Sequence, residues 1–259
     1  LSDSVIEKTV GIGVEAVGAG TVVVVVRSVV RGTAPGLQGE NGVGASALAG
    51  GELAVRESFL VGNSTHGVTA YDAGTSMKIG RTTVIDTGSI VGDVTGTGVV
   101  AAFGAQLEIA GGLLTGYSGD GVSVAHSETS AAVLGTALLG VQAEKGTGWS
   151  HGARVTEGAE LSLLRSVVDG NRGAALNVTH PGTACVIQRS VLRDTHLDDQ
   201  GTAGYGLSAA VGALVQMSES LVEGNSSFGA QILGEGTEVQ IAGSVVRNTQ
   251  ANLEGKQGV

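Results

Sequence analysis

The sequence predicts an all-β protein: a solenoid of about ten stacked coils, with three short strands in each coil. Three observations carry that prediction. A serine-led frame recurs at intervals that alternate between 24 and 30 residues, aliphatic residues hold fixed places within the frame, and glycine marks one turn of nearly every coil.

The clearest copies of the frame are Ser58-Phe59-Leu60-Val61-Gly62-Asn63, Ser166-Val167-Val168-Asp169-Gly170-Asn171 and Ser220-Leu221-Val222-Glu223-Gly224-Asn225. Looser copies start at Ser4, Ser28, Thr82, Gly112, Thr136, Ser190 and Ser244. The alternation never breaks, so the structural unit is two coils, 24 plus 30 residues, and residues 1–259 read as a single domain. Two residues after every start stands an aliphatic side chain, from Ile6 to Val246, and three residues before stands Val, Ile, Leu or Met, from Val25 to Ile241. Columns that constant are the mark of ladders facing a core.

Each coil divides into three apolar segments, in one coil residues 59–61, 68–71 and 76–79. Each is long enough for a strand and too short for a helix. Pairing every strand with its equivalent one coil later gives three parallel sheets around a narrow core, and ten coils make a rod of roughly 45 Å. The turn glycines are Gly20, Gly50, Gly74, Gly104, Gly158, Gly182, Gly212 and Gly236, with Glu128 the exception. Glycine at one recurrent turn implies a positive φ there. In short coils the next residue is Thr21, Thr75, Thr129, Thr183 or Thr237; in long coils it is Gly or Ala. Asn63, Asn171 and Asn225 share another turn position, taken elsewhere by Thr9, Thr33, Thr87, Thr195 and Thr249, where a short polar side chain bonds the turn backbone.

An aliphatic residue, then Ser, two aliphatics and a Gly-Asn turn, as in Ile187, Ser190 and Ser220 to Asn225, resembles the repeat of the right-handed parallel β-helix superfamily that includes pectate lyase-like proteins. The resemblance covers essentially the whole chain and implies the fold; the residues that carry it are structural. The family's enzymes, by the same resemblance, use a calcium-binding carboxylate cluster with a basic neighbour, or Asn-Thr-Asp, an Asp pair, Gly-His-Gly and Arg-Ile-Lys. Of these only the pair Asp198-Asp199 is present.

Composition agrees with a repetitive core. Aromatics make up 3% of the chain, whereas Gly numbers 45, so the apolar interior has to be Val, Leu, Ile and Ala. A hydrophobic fraction of 42% excludes disorder. The net charge of −10 argues against nucleic acid and against an anionic membrane surface. The valine run at residues 21–26 is too short to insert into a membrane. The lone cysteine, Cys185, excludes an internal disulfide and reads as a small core residue.

The additional length of long coils always falls at one corner, as residues 34–43, 88–97, 142–151 and 196–205, with a partial fifth from Gln250. Alternate coils therefore raise a loop about 10 Å apart along the rod. These loops carry the candidate binding residues: Glu40, Asp93, Glu144, Trp149, His151, His196, Asp198, Asp199 and Tyr205. The sober reading is a row of solvated acidic turns that keep the rod soluble; the sharper one is a ligand-binding ridge of repeated weak sites. Adjacent carboxylates on a loop make poor acid–base partners, so no catalytic residue is assigned. No cofactor is expected, and the acidic loop suggests calcium only through one pair of carboxylates where six to eight oxygens are needed. The histidines His66, His126, His151, His180 and His196 show no metal-ligand spacing and read as surface residues of turns.

Neither end shows a capping helix, and an uncapped coil exposes strand edges. The rod is expected to continue in a longer chain, with end-to-end self-association as the alternative. The sequence thus points to an exported or cell-surface solenoid acting as adhesive, scaffold or spacer, with a polysaccharide or another surface protein as partner. The alternative is a carbohydrate-active or carbohydrate-binding β-helix.

Overall fold

A computed structural model describes residues 1–36, 42–88, 96–140, 150–198 and 200–251. They form a right-handed parallel β-helix of three sheets, with no helix among the described residues. The first sheet has ten strands, from Val5–Glu7 to Val245–Arg247. The second has nine, from Ile12–Val17 to Ala230–Leu233, and the third nine, from Val22–Val26 to Glu238–Ala242. Every pairing is parallel and joins a strand to its equivalent one coil away, as predicted.

Register locates the additional residues. In the first and third sheets the partners are 24 and 30 residues apart in alternation (Val5 with Val29, Val29 with Phe59). In the second sheet the offsets are 31 and 23 (Ile12 with Val43, Val43 with His66). A long coil therefore gains seven residues at the corner between the first and second sheets and returns one at the corner between the second and third.

The interior is built from the predicted columns. Val30, Leu60, Val84, Leu114, Leu138, Val168, Leu192 and Val222 are buried, as are Val25, Val55, Ile79, Ile109, Val133, Leu163, Ile187 and Met217. Burying each such side chain is worth about 1.5–3 kcal/mol. Cys185 is buried in a neighbouring row with Leu161 and Val215, and burial pushes its thiol up to about 12. The frame serines are internal as well: the backbone N–H of Ser166 donates to Ser190 Oγ at 3.2 Å, and Ser190 N–H to Ser220 Oγ at 3.1 Å. The Asn and Thr column does the same one corner later, with Thr195 N–H donating to Asn225 Oδ1 at 3.1 Å. Each hydroxyl or amide thus satisfies a turn N–H that would otherwise be buried without a partner.

Two corners use different devices. At the first–second corner Gly13, Gly44, Gly67, Gly98, Gly121, Gly152, Gly206 and Gly229 hold one place, and Ala175 is the departure. A Cβ on Gly67 would lie 2.6 Å from the carbonyl oxygen of Gly98 and 2.2 Å from Val84 Cγ1. Glycine is needed there for close approach between coils, not for φ. At the second–third corner the turn glycines do have positive φ, 85° at Gly50 and 84° at Gly158. The threonine that follows in short coils is a clamp. Thr183 Oγ1 donates to the carbonyl of Thr179 at 2.8 Å and accepts the N–H of Gly158 at 2.9 Å, one coil back.

Tyr117 is an irregularity that the repeat did not reveal. It occupies the Asn/Thr column, is fully buried, and its hydroxyl donates to Asn171 Oδ1 at 2.7 Å, two coils further on. Burial raises its pKa well above the usual tyrosine value.

Candidate functional site

The second sheet follows directly after the loop-bearing corner, so its outer face is where the ridge and the solenoid wall meet. Strands of this sheet begin at Val43, Thr97, Ser150 and Tyr205. The ridge segments are thus shorter than the sequence frame suggested, and His151 and Tyr205 are strand residues on the wall.

His151 is the predicted site residue held between groups of two other coils. It lies on the strand Ser150–Thr156, in register with Asp120 one coil earlier. Its Nδ1 is 2.7 Å from Asp120 Oδ1, which also accepts its backbone N–H at 3.3 Å. On the other side Nε2 lies 3.2 Å from Asn177 Nδ2, on the next coil. With Nδ1–H donating to Asp120 Oδ1, the imidazole accepts the Asn177 amide N–H at Nε2. Asn177 Oδ1 is buried without a hydrogen-bond partner. The cluster spans three consecutive coils.

The expectation that the five histidines are surface residues of turns is therefore corrected. His151 has a side-chain exposure of 6%. His66 is half-buried beside Thr65, and burial lowers its pKa. His126 stacks on Phe103 with ring centroids 3.9 Å apart and pairs with Glu157 at 3.0 Å. His180 Nδ1 is 2.7 Å from Thr156 Oγ1. His180 and His196 are the two exposed ones, His196 at a bridge with Arg172. Spacing by coil put His126, His151 and His180 against partners 23 to 31 residues distant, which a search for local motifs does not detect.

Asp198 is likewise not a solvated acid. It is 5% exposed; its carboxylate accepts the N–H of Thr202 at 2.7 Å and the Thr202 hydroxyl at 2.9 Å. Its charge is committed to closing the loop. Tyr205 lies two coils from His151 in the same row and meets Phe228 at 5.9 Å. Burial raises its pKa. Glu40, Asp93, Glu144, Trp149 and Asp199 lie outside the described residues.

Aromatic rings missed in the sequence complete this face. Tyr71 and Phe103 meet at 6.1 Å near the far edge of the second sheet, next to His126. Between the edges runs a mixed row, Ser46, Thr69, Val100, Ser123, Arg154, Asn177 and Ser208, with Thr69 donating to Ser46 at 2.9 Å. The third sheet offers a contrast. Its outer face holds a shallow trough of about 270 Å³ lined by Lys78, Gln106, Glu108 and Ser162, with no ring among its lining residues. Among the described residues no three His, Cys, Asp or Glu side chains converge as a metal-ligand set.

No protein-family model matches the chain, and no curated protein does. Among solved structures the chain is similar to the Dettilon tailspike protein (gp208), with a TM-score of 0.51 and 12% identity. The likeness covers 93% of this chain and 60% of that one, so this chain spans about three fifths of the tailspike's length. At that identity the shared property is the fold, a parallel β-helix.

Proposed function

We propose that this chain is a non-catalytic, surface-displayed β-solenoid that presents the outer face of its second sheet, with the adjoining loop corner, to an extended glycan. The observation that supports it is the placement of rings. Phe103 with Tyr71 and His126, and Tyr205 with Phe228, form two aromatic groups on one face, separated by roughly 15–20 Å of wall whose outward row carries Ser123, Arg154, Asn177 and Ser208. Sugar rings stack on aromatic faces and hydrogen-bond to hydroxyl and amide groups, and a linear polymer can meet both groups at once. The similar fold of a protein described as a tailspike fits display at an exterior surface.

The Asp120–His151 pair favours a second reading, in which the imidazole is a general base in a carbohydrate-active enzyme. Its 6% exposure favours the first, because a general base has to reach the substrate. The deciding experiment is a glycan array run alongside a polysaccharide-cleavage screen on the intact chain. Retention of a glycan without cleavage is expected, weakened about three- to tenfold by Tyr205→Ala or Phe103→Ala. Cleavage that disappears in His151→Gln would replace the first reading with the second. Retention of no glycan would remove the ligand class altogether.

A further inference from the structure

The outer face of the first sheet is unlike the other two. Each of its three-residue strands points two side chains outward, and stacking makes two outward columns. The first column is apolar over most of its length, with Phe59 52% exposed. The second carries an acid then an arginine on coils 1 and 2 (Glu7, Arg31), apolar residues or Thr on coils 3 to 6 (Val61 to Leu139), and again an acid then an arginine on coils 7 and 8 (Asp169, Arg193). Within the chain Arg31 pairs with Glu7 at 2.5 Å and Arg193 with Asp169 at 2.7 Å. An outward apolar strip about 15–20 Å long at about 4.8 Å per coil, bounded by ion pairs that extend the patch to some 35 Å, is unusual for a solvent-facing sheet.

The order of those charges identifies what covers the strip. We propose that two copies of this chain pair antiparallel through their first sheets, about a two-fold axis parallel to the strands. Reversal turns acid–arginine into arginine–acid. With coil 1 of one copy opposite coil 8 of the other, Glu7 faces Arg193 and Arg31 faces Asp169. Val61 then meets Leu139, and Ile85 meets Thr115. The first column fits in the same register, with bulky Phe59 opposite small Ala137. A two-fold contact uses one patch twice, so each of these pairs occurs twice. A parallel pair would exchange the columns and set Glu7 against Val5 and Arg31 against Val29, burying charge on apolar surface. The strip is smaller than the roughly 800 Å² per partner of a standard interface, which sets the expected dissociation constant in the micromolar range.

Charge exchange tests both the dimer and its register. One variant carries Glu7→Arg with Arg31→Glu, a second carries Asp169→Arg with Arg193→Glu; each keeps its own cross-coil ion pair. Sedimentation velocity over a concentration series should show that the unmodified chain dimerises and that each variant alone does so roughly tenfold more weakly or not at all. An equal mixture of the two variants should restore dimers, because every facing pair is again opposite in sign. The exchange Glu223→Arg with Arg247→Glu, beyond the overlap, should leave dimerisation unchanged. A monomer at all concentrations, a trimer, or variants that dimerise as well alone as mixed would each overturn the proposal. Circular dichroism of each variant establishes that it has folded.

Discussion

The two corners that flank the second sheet solve the same problem by opposite means. At the second–third corner the chain turns in three or four residues, and side chains close it: Thr183 ties together the carbonyl of Thr179 and the N–H of Gly158. At the first–second corner the side chain is removed altogether, and Gly67 or Gly152 lets one coil's backbone press on the next. A turn closed by hydrogen bonds across coils has its length set by those bonds. A corner whose register is imposed after the turn, by close approach at a glycine, leaves the chain before it unconstrained. That is why length varies by seven residues at one corner and by one at the other, and why the ridge rises where it does.

The largest test of that contrast is Gly152→Val. A Cβ there would lie 2.1 Å from Val168 Cγ1 and 2.7 Å from the Ala175 carbonyl oxygen. A loss of about 3 kcal/mol or more, or failure to fold, is expected in urea unfolding, since overpacking at backbone contacts has little room to relax. A loss below about 1 kcal/mol would mean the coils are not held by close approach. Next is Thr183→Val, which keeps the shape and removes both hydrogen bonds of the clamp at a buried site. It should cost about 1–3 kcal/mol by leaving the Gly158 N–H unpaired. A neutral result would break the idea that side chains set this corner's length.

Replacing the ten residues 88–97 with the three-residue corner Ser64-Thr65-His66 should change stability by about 1 kcal/mol at most, because loop length enters only logarithmically. A large loss would show that the long corner is part of the wall. The smallest effect concerns His66, at the short corner. Burial holds its folded-state pKa down, so below the usual histidine value of about 6.5 the unfolded chain binds the proton and the folded one resists it. Stability should therefore fall as pH drops from about 7 towards 5, and His66→Gln should flatten part of that slope in thermal unfolding. An identical slope in the variant would assign the effect to other groups.

Much of the fold could be read because the solenoid repeats its own neighbours. In-register stacking places Leu60 over Val30 and under Val84, so one column of letters is also one ladder in space. The site was less legible. His151 and Tyr205 were singled out as loop residues and proved to be wall residues, since the strand starts a residue or two before the frame implied. Asp120, Asn177 and the Tyr71–Phe103–His126 group gave no signal of their own, because nothing local in the chain relates residues separated by a coil and pointing outward.

The period, the alternation of coils and two of the inward columns were determined by sequence alone, because a stacked coil has no freedom to place a core residue anywhere except over its equivalent. Which outward groups meet was decided by tertiary structure. The second sheet runs in steps of 31 and 23, not 30 and 24, and that one-residue displacement sets Asp120 against His151. The hydroxyl of Tyr117 passes a whole coil to reach Asn171, and Asp198 turns inward onto Thr202. Each depends on the length and direction of a side chain in three dimensions, which the repeat leaves open.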